Sequence, residues 1–265
     1  MLVFSPKQVA CMRIFFTMVL FLPFLPRSLR QVPTNRIKYI FLIGFFGSGI
    51  PPFLFTAAQT HLNSATAGIL NSLTPLFTLL IGMAVFGVAF TRNRLAGVIA
   101  GFLGAVSLIA HTAPTNIGEQ NSNYFYGIYI VLATICYGFS MNLIKAKTQN
   151  LSPLAINSIV FGILGVPAGA YLFSTDFVGR LQNIPGAWQA ASSVFVLALF
   201  GTAIASVMYY RLAQRTDALF SSMTTYFMPI MAIFWGFFDG EQLDWHYGLG
   251  LLLILVGVYL VQKKT

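Results

Sequence analysis

Acidic side chains are scarce in this sequence. Of 265 residues only 6 are Asp or Glu, and the four charged types together make up 8%, against about 25% in soluble domains. That shortage, with 57% hydrophobic residues and a mean hydropathy of +0.78, excludes a soluble enzyme and a disordered chain. Cysteine is also scarce. Cys11 and Cys136 both lie inside apolar runs, which excludes a disulfide scaffold and marks them as small core residues. No H-E-x-x-H, nucleophile elbow or P-loop occurs, so neither a zinc protease nor an ATP-driven pump has its machinery here. No carboxylate sits in the middle of an apolar run, which leaves proton coupling through a buried acid without a candidate.

What is present is apolar length. Nine runs stand out: Ser5 to Leu25, Ile37 to Ala58, Ala65 to Val88, Leu95 to Ala110, Tyr124 to Ile144, Pro153 to Phe173, Trp188 to Ala213, Ala218 to Phe238 and Trp245 to Val261. Most match the roughly 17 to 25 residues that cross a bilayer as a helix, and in lipid the backbone must satisfy itself within the segment. The net charge of +9 does not point to nucleic acid, because the basic residues sit in short joins between these runs. Arg27, Arg30, Arg36, Lys38, Arg92, Arg94, Lys145, Lys147, Arg211, Arg215, Lys263 and Lys264, 12 of the 15 basic residues, fall in alternate joins. Basic loops face the cytoplasm, so the C-terminus is expected inside and residue 1 outside. Nothing precedes Phe4 to carry it across, and the expectation is that a helix is missing before residue 1.

The sequence repeats itself. The stretch from Ser64 aligns with that from Ala218, placing Pro75 on Pro229, Gly82 on Gly236, Gly97 on Gly250 and Gly104 on Gly257 with one residue of slip. Upstream, FGSGI at Phe46 to Ile50 falls on FGTAI at Phe200 to Ile204, and Ser5-Pro6 on Ser152-Pro153. Runs one to four therefore match runs six to nine, and the counterpart of run five is absent from the first copy. Five plus five helices, an odd number per copy, makes the copies opposite in orientation, a pattern of secondary transporters.

These residues resemble the EamA-type branch of the drug/metabolite transporter superfamily over nearly the whole chain. The resemblance is carried by the small-residue helix leading to Pro75 and Pro229, by Gly240 to Leu243 (Gly-Glu-x-Leu), and by the glycine-spaced last helix. It implies ten helices, both termini cytoplasmic, and export or exchange of small metabolites. Two departures stand out: the first helix of the first repeat is missing, and Glu241 has Val88 as its counterpart. The expected fold is all-α, a polytopic membrane protein of nine transmembrane helices from two inverted five-helix repeats, residues 1–111 and 124–262.

Candidate site residues follow from polarity in an apolar setting. Arg13 is the one strong charge well inside a run, available to an anionic group of substrate or to a helix end. Pro75 and Pro229 are expected to bend helices. Asn71, Thr74, Thr224, Thr225 and Tyr226 lie within one or two turns of them. Tyr137, Asn142, Tyr209 and Tyr210 extend the set, and Gln59 is a gate candidate near the outer surface. Each of the polar ones lines a cavity or bonds helix to helix. Gly97 and Gly101 read as a close-packing face, with a homodimer face as the lesser alternative. His61, His111, His246, Asp239, Glu241 and Asp244 share the outer side without metal-site spacing, so no metal and no cofactor is expected. The reading is a secondary transporter of a small organic solute, amino-acid-like or drug-like, in the bacterial cytoplasmic membrane, working by alternating access. The alternatives are a non-transporting or truncated scaffold and, more remotely, an intramembrane enzyme. The partners are the solute and the bilayer, with no nucleic acid.

Overall fold

The structure, a computed structural model, describes residues 3–62, 64–112, 125–227 and 245–262. Every regular element among the described residues is helical. Among the described residues, five stretches are long and apolar enough to cross a membrane: Pro6–Gln31, Thr34–Gln59, Tyr126–Lys147, Pro153–Ser174 and Ala187–Arg215. The chain is thus a polytopic, all-helical membrane protein. It divides into two compact units, residues 1–56 with 143–215 and residues 57–142 with 216–265. Each half of the sequence contributes to both.

The first unit is built on α1 (Pro6–Phe21) and α9 (Pro153–Ser174), which pack along each other. Both start at a Ser-Pro pair. Proline is pre-organised for the first helical turn and has no N–H to waste there. At α1 the cap is a full capping box: Ser5 Oγ accepts from the Gln8 N–H at 3.3 Å, and Gln8 Oε1 accepts from the Ser5 N–H at 2.9 Å. Close approach is allowed by small residues on α9. Gly165 lies against Met18 and Gly169 against Phe15, so neither has room for a Cβ. Phe21 stacks on Phe161 with centroids 5.8 Å apart. The first span runs past Leu25, where the sequence pattern ends it, through α2 (Leu25–Gln31) and so takes in Arg27 and Arg30. Pro23 and Pro26 do not break it, because each occupies the first turn of a fresh helical segment.

The rest of this unit is α3 (Thr34–Gly44), continued by α4 (Ile50–Gln59, its last residues in the second unit), then α10 (Phe177–Asn183), α11 (Ala187–Ala198) and α12 (Ala205–Arg215). The span containing α3 and the span containing α11 each include a π-helical segment, Phe45–Gly49 and Leu199–Ile204. These are the two stretches that the repeat aligned as FGSGI and FGTAI.

The second unit contains α5 (Ser64–Asn71), α6 (Thr74–Phe86), α7 (Arg92–Thr112), most of α8 (Phe125–Lys147), α13 (Ala218–Ser222) and α14 (Trp245–Gln262). Its tightest packing is α7 on α14. A Cβ on Gly97 would lie 2.6 Å from the Gly257 carbonyl oxygen, and one on Gly257 would lie 2.6 Å from that of Gly97. Leu79, Val98, Ala105, Leu219, Met223, Tyr226, Ile254 and Val261 form the buried cluster around this crossing.

Around Pro75 the regular helix is interrupted. α5 ends at Asn71, the Ser72 and Leu73 N–H groups keep helical bonds to the Gly68 and Leu70 carbonyls at 3.1 Å, and Pro75 stands in the first turn of α6, which starts at Thr74. A proline with no N–H to donate fits there without loss. Pro167 lies inside α9. Pro229 lies outside the described residues.

Candidate functional site

In the first unit the π-helical segments organise the polar side chains. A π-helical turn adds a residue to the ladder and re-aims its neighbours, and such turns cluster at functional sites. The repeat places Ser48 and Thr202 at equivalent positions within them. Arg13, midway along α1, donates from Nη2 to Thr202 Oγ1 at 3.1 Å. Its charge is thus held against the break in the α11–α12 span rather than left among apolar side chains. Tyr210 on α12 is only 3% exposed. Its hydroxyl makes no hydrogen bond of good geometry, although Ser48 stands beside it. Asn157, early in α9 and fully buried, donates through Nδ2 to the Pro153 carbonyl at 2.9 Å and leaves its Oδ1 without a donor. A buried polar atom without a partner costs about 1–3 kcal/mol, so each of the two is a place where water or a ligand group would be welcome. Tyr209, next in sequence to Tyr210, is half-buried.

This unit also holds an apolar cavity of about 530 Å³ along α1 and α9, with Cys11, Gly49, Leu164 and Pro167 in its walls.

In the second unit the polar candidates bond chiefly to backbone. Thr74 donates to the Asn71 carbonyl at 2.7 Å and sits 3.4 Å from its Oδ1, across the helix break. Asn142 on α8 donates to the Thr78 and Gly138 carbonyls, both at 2.8 Å, and so ties α8 to α6. Its Oδ1 occupies the space where Gly82 has no Cβ. Thr224 and Thr225 bond back to the Ser221 and Ser222 carbonyls. Tyr226 lays its ring on Gly101 and donates to the Val98 carbonyl at 3.0 Å. The Gly97–Gly101 stripe is packed within the chain, on α14 and Tyr226. Tyr137 is half-buried on α8 and Gln59 is exposed at the end of α4. His61 stacks on Tyr126 with centroids 3.8 Å apart. Among the described residues no three metal-ligating side chains gather. The other two histidine side chains, and Asp239, Glu241 and Asp244, lie outside the described residues.

Among the described residues no nucleophile is set beside a base. The chemistry is a collection of hydrogen-bonding groups and one guanidinium held in apolar helices. Sequence reasoning passed over Ser48, Thr202 and Asn157. The first two sat in the repeat-matched FGSGI and FGTAI stretches, where the signal lay in the match and was not carried to the side chains.

The family model for EamA-like transporters matches residues 1–110 and 125–262. The chain belongs to the EamA-like transporter family. It is accordingly a membrane transporter and not an enzyme, and its partners are a small-molecule solute and the lipid around it. Relatives include an uncharacterized transporter of Archaeoglobus fulgidus, 22% identical over 98% of this chain and 90% of that one. The uncharacterized inner membrane transporter YedA of Escherichia coli K12 is 25% identical over 97% of this chain and 81% of its own. A probable terminal-alkyne amino-acid exporter of Streptantibioticus cattleyicolor is 23% identical over 91% and 78%. A solved crystal structure shares the fold, with a TM-score of 0.74 and 16% identity over 98% of this chain and 88% of that one.

Proposed function

We propose that this EamA-like protein is a secondary transporter that moves a small organic solute across the bacterial cytoplasmic membrane by alternating access. It uses two inverted repeats, residues 1–111 and 124–262, with nine helices and a cytoplasmic C-terminus. The observation that carries this reading is the paired break. Equivalent stretches of the two repeats leave α-helical bonding at Phe45–Gly49 and Leu199–Ile204, and each presents a hydroxyl, Ser48 or Thr202, at the same position. Broken helices that bring polar groups to mid-membrane are how such transporters meet their cargo. Arg13 on Thr202 and the Tyr210 hydroxyl beside Ser48 are then the groups offered to a solute. A guanidinium and neutral acceptors suit a solute with a carboxylate or similar anionic end and a hydrogen-bond donor. An amino-acid-like compound meets that description, which agrees with the name of the Streptantibioticus relative. Of the remaining candidates, Tyr209 lies in the same unit as Arg13 and Tyr210 and is assigned with them.

The test is solute exchange in proteoliposomes with a panel of amino acids, organic acids and uncharged solutes. Exchange that is confined to anionic or zwitterionic solutes and is lost in Arg13→Gln supports the assignment. Exchange of uncharged solutes that Arg13→Gln leaves intact overturns it.

A further inference from the structure

We propose that a second site, at one end of the first unit where Arg36 and Lys147 meet, binds the phosphate of an anionic phospholipid headgroup. The cavity there has a volume of about 500 Å³, and its lining includes Gln31, Pro33, Arg36, Lys147, Gln149 and Asn150. Its place along the spans fixes its depth. The span Pro6–Gln31 ends in it, Thr34–Gln59 begins beside it, Tyr126–Lys147 ends in it, and Pro153–Ser174 begins two residues after its wall residue Leu151. Four spans reach their ends together, so the cavity lies at headgroup level and not in hydrocarbon.

Its charge is of one sign. Arg36 and Lys147 line it, and Lys38 stands next to them: the Lys38 and Lys147 ammonium groups lie 5.1 and 5.3 Å from the centroid of the same Tyr39 ring. No carboxylate is in the wall. The one acidic residue of the unit is Asp176. It follows the C-terminus of α9, a 22-residue helix whose N-terminus is at the cavity end, so it is about 33 Å away at 1.5 Å per residue. Three cations gathered without an acid repel one another unless an anion joins them.

The ordinary structural duty for such groups is to cap a helix C-terminus, and here that duty is already filled. The Arg36 Nη1 donates to the Lys147 carbonyl at 2.7 Å. Gln214 Nε2 donates to the Thr148 and Leu151 carbonyls at 2.6 and 2.9 Å, and Gln149 to the Lys145 carbonyl at 2.9 Å. The Lys147 ammonium is not needed for α8, and Arg36 uses one of five N–H donors on it. α3 adds a third contribution. It starts after Pro33 with no side-chain cap on its first N–H groups, and the positive end of a helix favours an anion. Basic pockets between transmembrane helices at the membrane surface hold lipid phosphates in this way.

The full chain, stripped of lipid in a neutral detergent, is assayed by native mass spectrometry and thermal unfolding. The probes are phosphatidylglycerol, phosphatidylcholine and millimolar inorganic phosphate. Phosphatidylglycerol is expected to stay bound and to raise the unfolding temperature, with phosphatidylcholine and inorganic phosphate doing neither. Arg36→Gln breaks a backbone contact and can impair folding, so the deciding variant is Lys147→Gln, which leaves that contact in place. It should weaken phosphatidylglycerol about fivefold, the share of one cation near a membrane surface. Lys147→Arg should restore binding, and Lys7→Gln, in the wall of the apolar cavity along α1 and α9, should leave it unchanged. Undiminished phosphatidylglycerol binding in Lys147→Gln overturns the site. Equal binding of phosphatidylcholine overturns the headgroup charge as its basis. Stabilisation by inorganic phosphate alone, with no lipid preference, overturns the lipid as the source of the phosphate.

Discussion

Tyr226 shows how one residue can satisfy several constraints in an apolar surrounding. Its ring needs a flat seat, which Gly101 supplies by having no side chain, and its hydroxyl needs an acceptor, which the Val98 carbonyl supplies. Removing the hydroxyl in Tyr226→Phe is expected to cost about 1 kcal/mol, read as a lower unfolding temperature in detergent. Gly101→Leu should cost more, since the new side chain must displace the ring. If Gly101→Leu unfolds at the wild-type temperature, the seat is not as described. Asn142 holds the carbonyls of Thr78 and Gly138. Asn142→Leu should therefore loosen α8 from α6 and destabilise by about 1 kcal/mol or somewhat more. Tyr210 is the contrasting case. Its hydroxyl makes no good bond within the chain, so Tyr210→Phe is expected to leave stability unchanged or slightly raised while lowering solute exchange. A variant that unfolds earlier and transports normally would show the hydroxyl to be structural.

At the scale of elements, the breaks carry more meaning than the helices. A π-helical segment holds one residue more than an α-helix would over the same path. Deleting Gly47 should restore α-helical bonding through Phe45–Gly49 and turn everything on one side of it by about 100°. Expression and span insertion should survive, since the apolar length remains, but exchange should fall to background. Retained exchange in the deletion would separate the π-helical turn from function. The α7–α14 crossing has the opposite character, because its backbones approach too closely for any side chain at Gly97 or Gly257. Gly257→Val should lower the unfolding temperature by several degrees. Gly87 is special for another reason: it terminates α6 with φ of +66° and has open space around it. There Gly87→Asn should be tolerated and Gly87→Val should not.

At the scale of the whole molecule, orientation is the property still to be measured. From the 12-of-15 basic split the loop at Arg92 and Arg94 is expected in the cytoplasm and the segment at Asp239 to Asp244 outside. A single cysteine at Asn93, tested with an impermeant thiol reagent on intact cells of a variant lacking Cys11 and Cys136, should stay unlabelled until the membrane is opened. Labelling from outside would invert the orientation.

Much of this was legible in the amino-acid order. The bilayer sets the length of an apolar run, so Pro153 to Phe173 could be recognised as a span without any partner, and the structure's Pro153–Ser174 agrees. The family was legible too, because repeated prolines and glycines at fixed spacing are one-dimensional signals. Even the two segments that become π-helical were marked by their mutual match. Tertiary structure decided what each polar group does. An asparagine in an apolar helix satisfies itself on backbone, as Asn142 does, or keeps an orphaned oxygen, as Asn157 does, and the difference lies in the neighbouring helix. Pro75 likewise could sit deep within a helix or near the start of one, and the structure seats it in the first turn of α6. The sharing of both sequence halves between two units was equally out of reach, because packing partners depend on shape across the bundle. Hydropathy reports only that a side chain leaves water, and it is silent on which helix receives it.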